Sequence, residues 1–135
     1  MTDPTATRRP KPILRKEVVE TVTWGEVVVR QLTMSQRLML DVPDAESIKH
    51  RNGESDLEHR QRTRRHWAEF ENDLLAEAVI AKGEEVDPLY SADEWDVWWA
   101  TPDDQVAKDV AAVSNKARAL NGFRTLDGED AAKNG

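Results

Sequence analysis

Three histidines are the first residues whose chemistry suggests a site, because imidazole nitrogens bind transition metals. His59 and His66 are seven residues apart, so in a helix they would share a face but lie two turns from each other. One metal ion cannot span that distance without a third ligand between them, and the chain has neither a His-Glu-x-x-His pattern nor a cysteine. We interpret His50, His59 and His66 as solvated or capping residues, and we expect no metal or other cofactor.

A run of carboxylates is the candidate for acid–base catalysis: Asp93, Glu94, Asp96, Asp103 and Asp104. Glu94 and Asp104 each follow a Ser or Thr by three residues, which is the spacing of a capping box, and acidic side chains are favoured in the first turn of a helix. No nucleophile with a neighbouring base, no metal-ligand set and no glycine-rich phosphate loop accompanies them. The sequence therefore predicts that the protein is not an enzyme.

Basic residues cluster at the start of the longest predicted helix: Arg60, Arg62, Arg64 and Arg65. The cluster is typical of a solvated helix face, in which Glu58 and Arg62 have the i,i+4 spacing of an ion pair. A contact with an acidic partner protein is the alternative, with Arg60 and Arg64 as the candidate residues. The pattern disfavours nucleic-acid binding, because no aromatic residue is interleaved with the arginines before Trp67.

Three of the five tryptophans fall within the stretch DEWDVWW, residues 93–99. Trp95, Trp98 and Trp99 have i, i+3, i+4 spacing, which places them on one face of a helix of about two turns. A helix that short is not stable alone, so its aromatic face must dock. Either it docks on the protein's own core, or at least one ring stays open to anchor another protein, since tryptophan is enriched at interface hot spots. We therefore treat these three residues as candidate partner-binding residues.

A β-hairpin and four helices are predicted to position these side chains. The β-branched segments Val18–Trp24 and Val27–Leu32 flank Gly25-Glu26, which suits a two-residue type II′ turn. Helix starts are signalled by Ser or Thr followed three residues later by Glu, Gln or Asp: Thr33/Gln36, Ser55/Glu58, Ser91/Glu94 and Thr101/Asp104. The predicted helices span about residues 34–41, 56–82, 92–99 and 102–120, and the last has Pro102 at its first position.

Two of the helices carry clear apolar faces. The last has a stripe of 4-3-4-3 spacing, and the long helix has a core face only in its second half, because its first half is polar and is expected to extend past the core. The stripe is Val106, Val110, Val113, Ala117 and Leu120, and the core face is Trp67, Phe70, Leu74, Leu75, Ala78 and Val79.

Charge and composition predict one small domain with polar ends. Residues 1–16 carry a charge of +4 and contain three prolines, so they are predicted to be a flexible basic arm. Residues 17–121 are predicted to form a single mainly α domain with an N-terminal β-hairpin (α+β) and about four helices, and residues 122–135 a flexible acidic tail. The net charge of −7 leaves this body strongly acidic, which argues further against nucleic-acid binding. No apolar run is long enough to cross a membrane.

The order of three stretches resembles the tail assembly chaperones of long-tailed, siphovirus-type bacteriophages. WGEVVVRQLTMSQR (residues 24–37) is similar to the family's hydrophobic strand followed by Arg-x-Leu-Ser/Thr and an Arg-bearing helix start. GEEVDPLYSADEWDVW (residues 83–98) is similar to a loop ending in Leu-Phe/Tyr-Ser before an acidic, aromatic-bearing short helix. LNGF (residues 120–123) then precedes an acidic tail. Together these stretches span about residues 18–135.

The resemblance implies a non-enzymatic role in virus assembly. Members bind the aggregation-prone tape measure protein and keep it soluble while tail tube subunits polymerise around it, so the tape measure protein is the expected partner and the tail tube protein a second one. The expected location is the host cytoplasm and not the mature virion. Self-association through the exposed edges of the hairpin is also compatible with the sequence.

In many members a fraction of ribosomes slips near the end of the reading frame and makes a longer protein. Ala132-Lys133-Asn134 are compatible with the slippery heptamer A-AAA-AAC, so Lys133 and Asn134 mark the candidate frameshift position. Two other functions stay open. One is a structural virion protein, such as a head–tail adaptor or tail terminator. The other is a small regulator that binds nucleic acid through the basic arm and Arg60–Arg65.

Overall fold

The computed structural model of the chain describes residues 13–83 and 87–126. These residues form a three-stranded antiparallel sheet of order β1-β2-β3 and four helices, which confirms the predicted mainly α domain with an N-terminal hairpin. The strands are β1 (Lys16–Thr21), β2 (Gly25–Arg30) and β3 (Val79–Ala81). The helices are α1 (Met34–Leu38), α2 (Asp56–Ala78), α3 (Ala92–Ala100) and α4 (Asp104–Leu120).

The hairpin turn differs from the predicted two-residue turn. Thr21 pairs with Gly25, so residues 22–24 form a three-residue loop, and Gly25 has a φ of 70°. A glycine in this left-handed conformation commonly completes three-residue hairpin loops. The Thr21 hydroxyl also spans the loop, since it donates to the Gly25 carbonyl at 2.8 Å and accepts from the Trp24 N–H at 2.9 Å. This local hydroxyl contact favours the longer turn.

The long helix ends four residues earlier than predicted, because the chain leaves it to form β3. Val79 and Ile80 are β-branched and pair with Val29 and Val28 of β2. Their backbone groups complete the second edge of β2, and both side chains are buried. The helical apolar pattern continues through this segment, so periodicity alone did not separate the strand from the helix.

Three of the four predicted capping boxes are present, at Thr33/Gln36, Ser55/Glu58 and Ser91/Glu94. The fourth prediction was wrong, because α4 begins after Asp103. The Asp103 carboxylate accepts from the N–H groups of Gln105 and Val106 at 2.9 and 3.0 Å. The Thr101 hydroxyl instead donates to the Val97 carbonyl at 2.8 Å and so closes α3. Helix α1 is also three residues shorter than predicted.

The core lies between the inner face of the hairpin and helices α2, α3 and α4. The predicted α4 stripe is buried from Val110 to Leu120, while Trp67 at the start of the predicted α2 face is partly open. Two buried polar residues fix α4 to the sheet. Asp109 accepts from the N–H and hydroxyl of Thr23 at 2.8 and 2.5 Å. At the other end of α4, Asn121 accepts from the Leu32 N–H at 2.6 Å and donates to the Ala117 carbonyl at 2.9 Å.

The first half of α2 does not extend freely past the core, because residues 41–54 fold back onto it. Arg62 holds this loop through a two-point contact with Glu54, at 2.7 and 3.0 Å, and donates to the carbonyls of Ser47 and Lys49, both at 2.6 Å. The side-chain hydrogen bond from Arg62, followed by the backbone hydrogen bond from Arg51, lowers the pKa of Glu54 to about 2. One arginine of the predicted solvated cluster is therefore a structural residue.

The domain ends also differ from the predicted boundaries. Lys16, assigned to the arm, is the first residue of β1. Residues 122–126, assigned to the tail, contact the domain, since Phe123 packs against the core and the Leu126 N–H donates to Asn115 Oδ1 at 2.6 Å. Of the predicted ends, residues 1–12 and 127–135 lie outside the described residues, and the latter range includes Lys133 and Asn134.

The Arg62–Glu54 contact predicts that acid releases the 41–54 loop before the domain unfolds. The pKa of Glu54 falls from 4.5 to about 2 on folding, so its stabilising effect is complete above 4.5 and is lost as the pH falls toward 2. Two-dimensional amide NMR should then show signals of Ser47 and Lys49 shifting in this window while those of Val113 and Ala117 keep their positions.

The matched variant is Glu54→Gln, which cannot change its charge in this window. Its loop signals should already differ from wild type at neutral pH and should titrate less on acidification. Asp44, whose pKa is lowered by the Ser47 backbone hydrogen bond, remains as a second titrating group in the loop. A full wild-type response in Glu54→Gln would contradict the assignment to Glu54.

Candidate partner-binding groove

Two of the three tryptophans of α3 belong to a closed aromatic cluster. Trp24 lies edge-to-face with Trp95 and Trp98, at centroid distances of 5.4 and 5.3 Å, and Tyr90 contacts the same two rings at 5.3 and 5.6 Å. Such geometry places the positive edge of one ring against the negative face of the next. Trp95 is fully buried and Trp98 packs partly buried against the core. Trp95 is therefore a core residue, which corrects its place among the partner-binding candidates.

The third tryptophan, Trp99, lies outside this cluster and lines an open groove. Trp99 of α3 is 38% exposed and Trp67 of α2 is 39% exposed. Together with Ala68 and Leu126 they form the apolar walls of a cavity of about 300 Å³. Its polar lining residues are Glu71, Asp96 and Arg118. We call this feature the Trp67–Trp99 groove.

The floor of the groove is a buried ion pair between α2 and α4. Arg118 Nε lies 3.2 and 3.0 Å from the two carboxylate oxygens of Glu71, and its Nη2 also contacts Glu71. The guanidinium carbon lies 5.6 Å from the centroid of the Phe70 ring, a cation–π distance. Because both charged groups are satisfied by each other, the floor presents no unpaired charge to an apolar ligand.

The same arginine holds the chain that forms one wall of the groove. Arg118 Nη1 donates to the Arg124 carbonyl at 2.8 Å, and the Phe123 ring packs edge-to-face on Phe70 at 5.1 Å. These contacts place Leu126 beside Trp67 and Trp99. The groove is thus formed in the absence of a ligand, which lowers the entropic cost of ordering it on binding.

The groove adjoins a larger polar depression of about 710 Å³, with which it shares Ala68 and Asp96. Arg64 and Arg65 line one side of the depression and Asp73 and Asp93 line others. Arg64 therefore lines the depression beside the groove and not the groove itself. Arg60 is exposed on α2 and lines neither the groove nor the depression.

The remaining chemical candidates occupy structural positions. His59 Nε2 lies 2.6 Å from the Ile48 carbonyl, and His66 Nε2 lies 3.1 Å from the Asp41 carbonyl, so both hold the 41–54 loop. Asp96 accepts from the Asn72 amide at 3.1 Å. Within the described ranges, no three His, Asp or Glu side chains are placed to share a metal ion, and no helix combines the length and apolarity of a membrane span.

Sequence reasoning missed Glu71, Arg118 and Leu126, and it assigned Trp67 to the core. Glu71 and Arg118 each follow a buried apolar residue of a core stripe, Phe70 and Ala117. An acidic residue beside the apolar stripe of one helix and a basic residue beside that of another can indicate an ion pair between the two helices. The signal does not identify which residues pair, because the relative position of α2 and α4 is a tertiary property.

Comparisons of the chain with protein-family models, with curated proteins and with solved structures gave no significant match.

The buried ion pair predicts a large loss of stability when one partner is removed. Arg118→Ala leaves the Glu71 carboxylate buried without its counter-charge, so we expect the free energy of unfolding to fall by about 3–5 kcal/mol. Urea unfolding followed by tryptophan fluorescence measures this change. The paired replacement Glu71→Leu with Arg118→Met removes both charges and should cost less than Arg118→Ala alone. A double variant as unstable as Arg118→Ala would show that the pair is not the source of the loss.

Proposed function

We propose that this protein is a non-enzymatic binding protein whose Trp67–Trp99 groove receives an apolar segment of a partner protein. The observation that carries the proposal is the pair of half-exposed indole rings on one preformed groove. Exposed apolar residues that line one groove mark interaction sites more than scattered ones do, and tryptophan is prominent among residues that dominate binding energy. The ion-paired floor and the polar rim would orient a segment that is apolar on one side only.

We propose further that the partner is a tape measure protein and that the protein acts as a phage tail assembly chaperone. The support is the resemblance of its three sequence stretches to that family. The second stretch contributes Asp96 to the lining of the groove, and the third contains Phe123, which packs on Phe70. A tape measure protein is a long helix with an apolar stripe, and amphipathic helices commonly bind in apolar grooves. In this role the protein works in the host cytoplasm, with the tail tube protein as a second partner.

Trp99→Ala and Trp67→Ala test the binding surface. Each removes a half-exposed ring, so each variant should stay folded by circular dichroism. Loss of a hot-spot tryptophan typically costs at least 2 kcal/mol of binding energy, or about 30-fold in affinity. On co-expression, we expect less soluble tape measure protein with either variant than with wild type.

Two matched controls come from α3 itself. Val97 is exposed and lies outside the groove, so Val97→Ala should leave tape measure solubility unchanged. Trp98→Ala opens the aromatic cluster and should destabilise the domain by about 3–5 kcal/mol. Unchanged solubility with the folded double variant Trp67→Ala/Trp99→Ala would exclude the groove as the client site.

The assembly role itself is tested on the native gene and on particles. Intact-mass analysis of protein made with its downstream DNA should find a minor longer product that shares this N-terminus, if ribosomes slip at Lys133-Asn134. Mass spectrometry of purified virions should not detect the protein. Its presence there would instead favour a head–tail adaptor, a tail terminator or another structural component.

A further inference from the structure

Among residues 13–83 and 87–126, no strand pairs with the outer edge of β1, and the outward residues of this free edge repeat a self-complementary pattern. The sheet order places β1 at the margin, and the Gln31 N–H donates to the Arg15 carbonyl at 2.7 Å. Because hydrogen-bonded pairs alternate along an antiparallel ladder, odd-numbered residues of β1 direct their backbone groups to β2. The N–H and C=O groups of Lys16, Val18 and Glu20 therefore point to the free edge.

The side chains of the same three residues share the outer face of the sheet. Val18 is 53% exposed, whereas Val27 and Val29 on the inner face are buried. The register places Lys16 opposite Arg30, and Glu20 opposite Glu26. The outer face of the hairpin therefore has a basic end, Lys16 and Arg30, and an acidic end, Glu20 and Glu26, where Lys82 also contacts Glu26. Like charges directly opposite each other destabilise a strand pair. Among the described residues, neither Lys16 nor Glu20 forms an ion pair.

We propose that a second copy of this chain pairs with β1 along this edge, antiparallel and two-fold symmetric about Val18, to make a continuous six-stranded sheet. In this register Lys16 of each copy lies opposite Glu20 of the other, and Val18 lies opposite its own symmetry mate. The basic end of each hairpin then meets the acidic end of its partner. The edge residues supply about six backbone hydrogen bonds between the copies.

The register also explains the exposed apolar residues at both ends of the strand. Continued by two residues, it brings Leu14 of one copy next to Val22 of the other, and these side chains are 42% and 77% exposed in the single chain. At the centre, Val18 is already paired with Val28, and Val28 with Ile80. Pairing at Val18 joins the two sets into one apolar row across six strands.

Other registers conflict with the charges. Moving the two-fold axis to Glu20 places two glutamates opposite each other, and moving it to Lys16 places two lysines opposite each other. Centring it on Glu17 or on Val19 sets Lys16 and Glu20 each against an apolar residue. Charged residues on an edge strand normally prevent such pairing, and here they permit it in one register only.

Charge reversal tests the register through sedimentation velocity across a concentration series. The wild-type protein should form a species of twice the 15.3 kDa chain mass. Lys16→Glu or Glu20→Lys alone replaces two attractive pairs by two repulsive ones, so each should raise the dimer dissociation constant at least about tenfold. The swap Lys16→Glu/Glu20→Lys restores both pairs and should restore the dimer. Lys108→Glu, an equal change of charge on exposed α4, should have no effect.

The single charge reversals also distinguish a weakened dimer interface from a general loss of stability of the chain. Within one chain, Lys16→Glu sets a carboxylate opposite Arg30, and Glu20→Lys sets an ammonium opposite Glu26. Each should therefore raise the thermal stability of the monomer, measured at low concentration, while weakening the dimer. A fall in monomer stability that accounts for the lost dimer would overturn the proposal.

Proline substitution tests the edge hydrogen bonds. Val18→Pro removes an N–H that points away from β2, so the hairpin should survive and the dimer should dissociate. Val19→Pro is the control, because its N–H bonds to β2 and its loss should disrupt the hairpin in circular dichroism. The proposal fails if the wild-type chain is monomeric at every concentration, or if its dimer persists unchanged in Val18→Pro. Trp99→Ala should leave sedimentation unaltered, because the edge of β1 and the Trp67–Trp99 groove share no residue. The dimer is therefore independent of the proposed function.

Discussion

The position of α4 against the hairpin is the constraint on which the other contacts depend. Two strands with one apolar face are not stable in water without a covering layer, and α4 supplies it through its buried stripe. Asp109 and Asn121 set the alignment, because each is buried and satisfies backbone groups of the hairpin or of the strand exit. A shift of α4 by one turn would leave these groups unpaired in the core. The alignment of α4 also positions the floor of the groove, because Arg118 directly follows Ala117 of the buried stripe.

The tryptophans of α3 divide between core and groove because one helix face cannot meet one neighbour with all three rings. At about 100° per residue, Trp98 and Trp99 point about a quarter-turn apart, with Trp95 between them. Helix α3 packs against α2 on one side and beneath the hairpin loop on the other. Trp95 and Trp98 turn toward Trp24, and Trp99 turns toward Trp67. The spacing in the sequence correctly predicted that the three rings lie within about a quarter-turn of one another. It did not predict that this face is shared between two neighbours, the hairpin loop and α2.

Most local signals were readable from the sequence, whereas long-range ones were not. The capping boxes at Thr33, Ser55 and Ser91 were predictable because their partners are three residues away. Two errors were local, since Asp103 rather than Thr101 caps α4 and the hairpin loop has three residues rather than two. The others arose where a distant group competed with a local one. Val79 and Ile80 fit a helix until the open edge of β2 is considered, and Arg62 appears solvated until the 41–54 loop closes on it. The groove combines local and long-range features. The sequence pattern singled out Trp99 as a binding candidate and Trp67 as a core residue, but it could not predict the ion pair that joins α2 to α4.

The two proposed surfaces lie on different parts of the molecule, and this separation has a consequence for binding. The groove is built from α2, α3, α4 and the segment after α4, whereas the free edge belongs to β1. A two-fold assembly through β1 would leave both grooves open and would hold them at a fixed separation. A long partner with repeated apolar segments could then occupy two grooves at once, and the second contact would benefit from the high effective concentration that the first creates. Modest affinity at each groove would be sufficient to retain such a partner, and each contact could still be released singly as another protein displaced it.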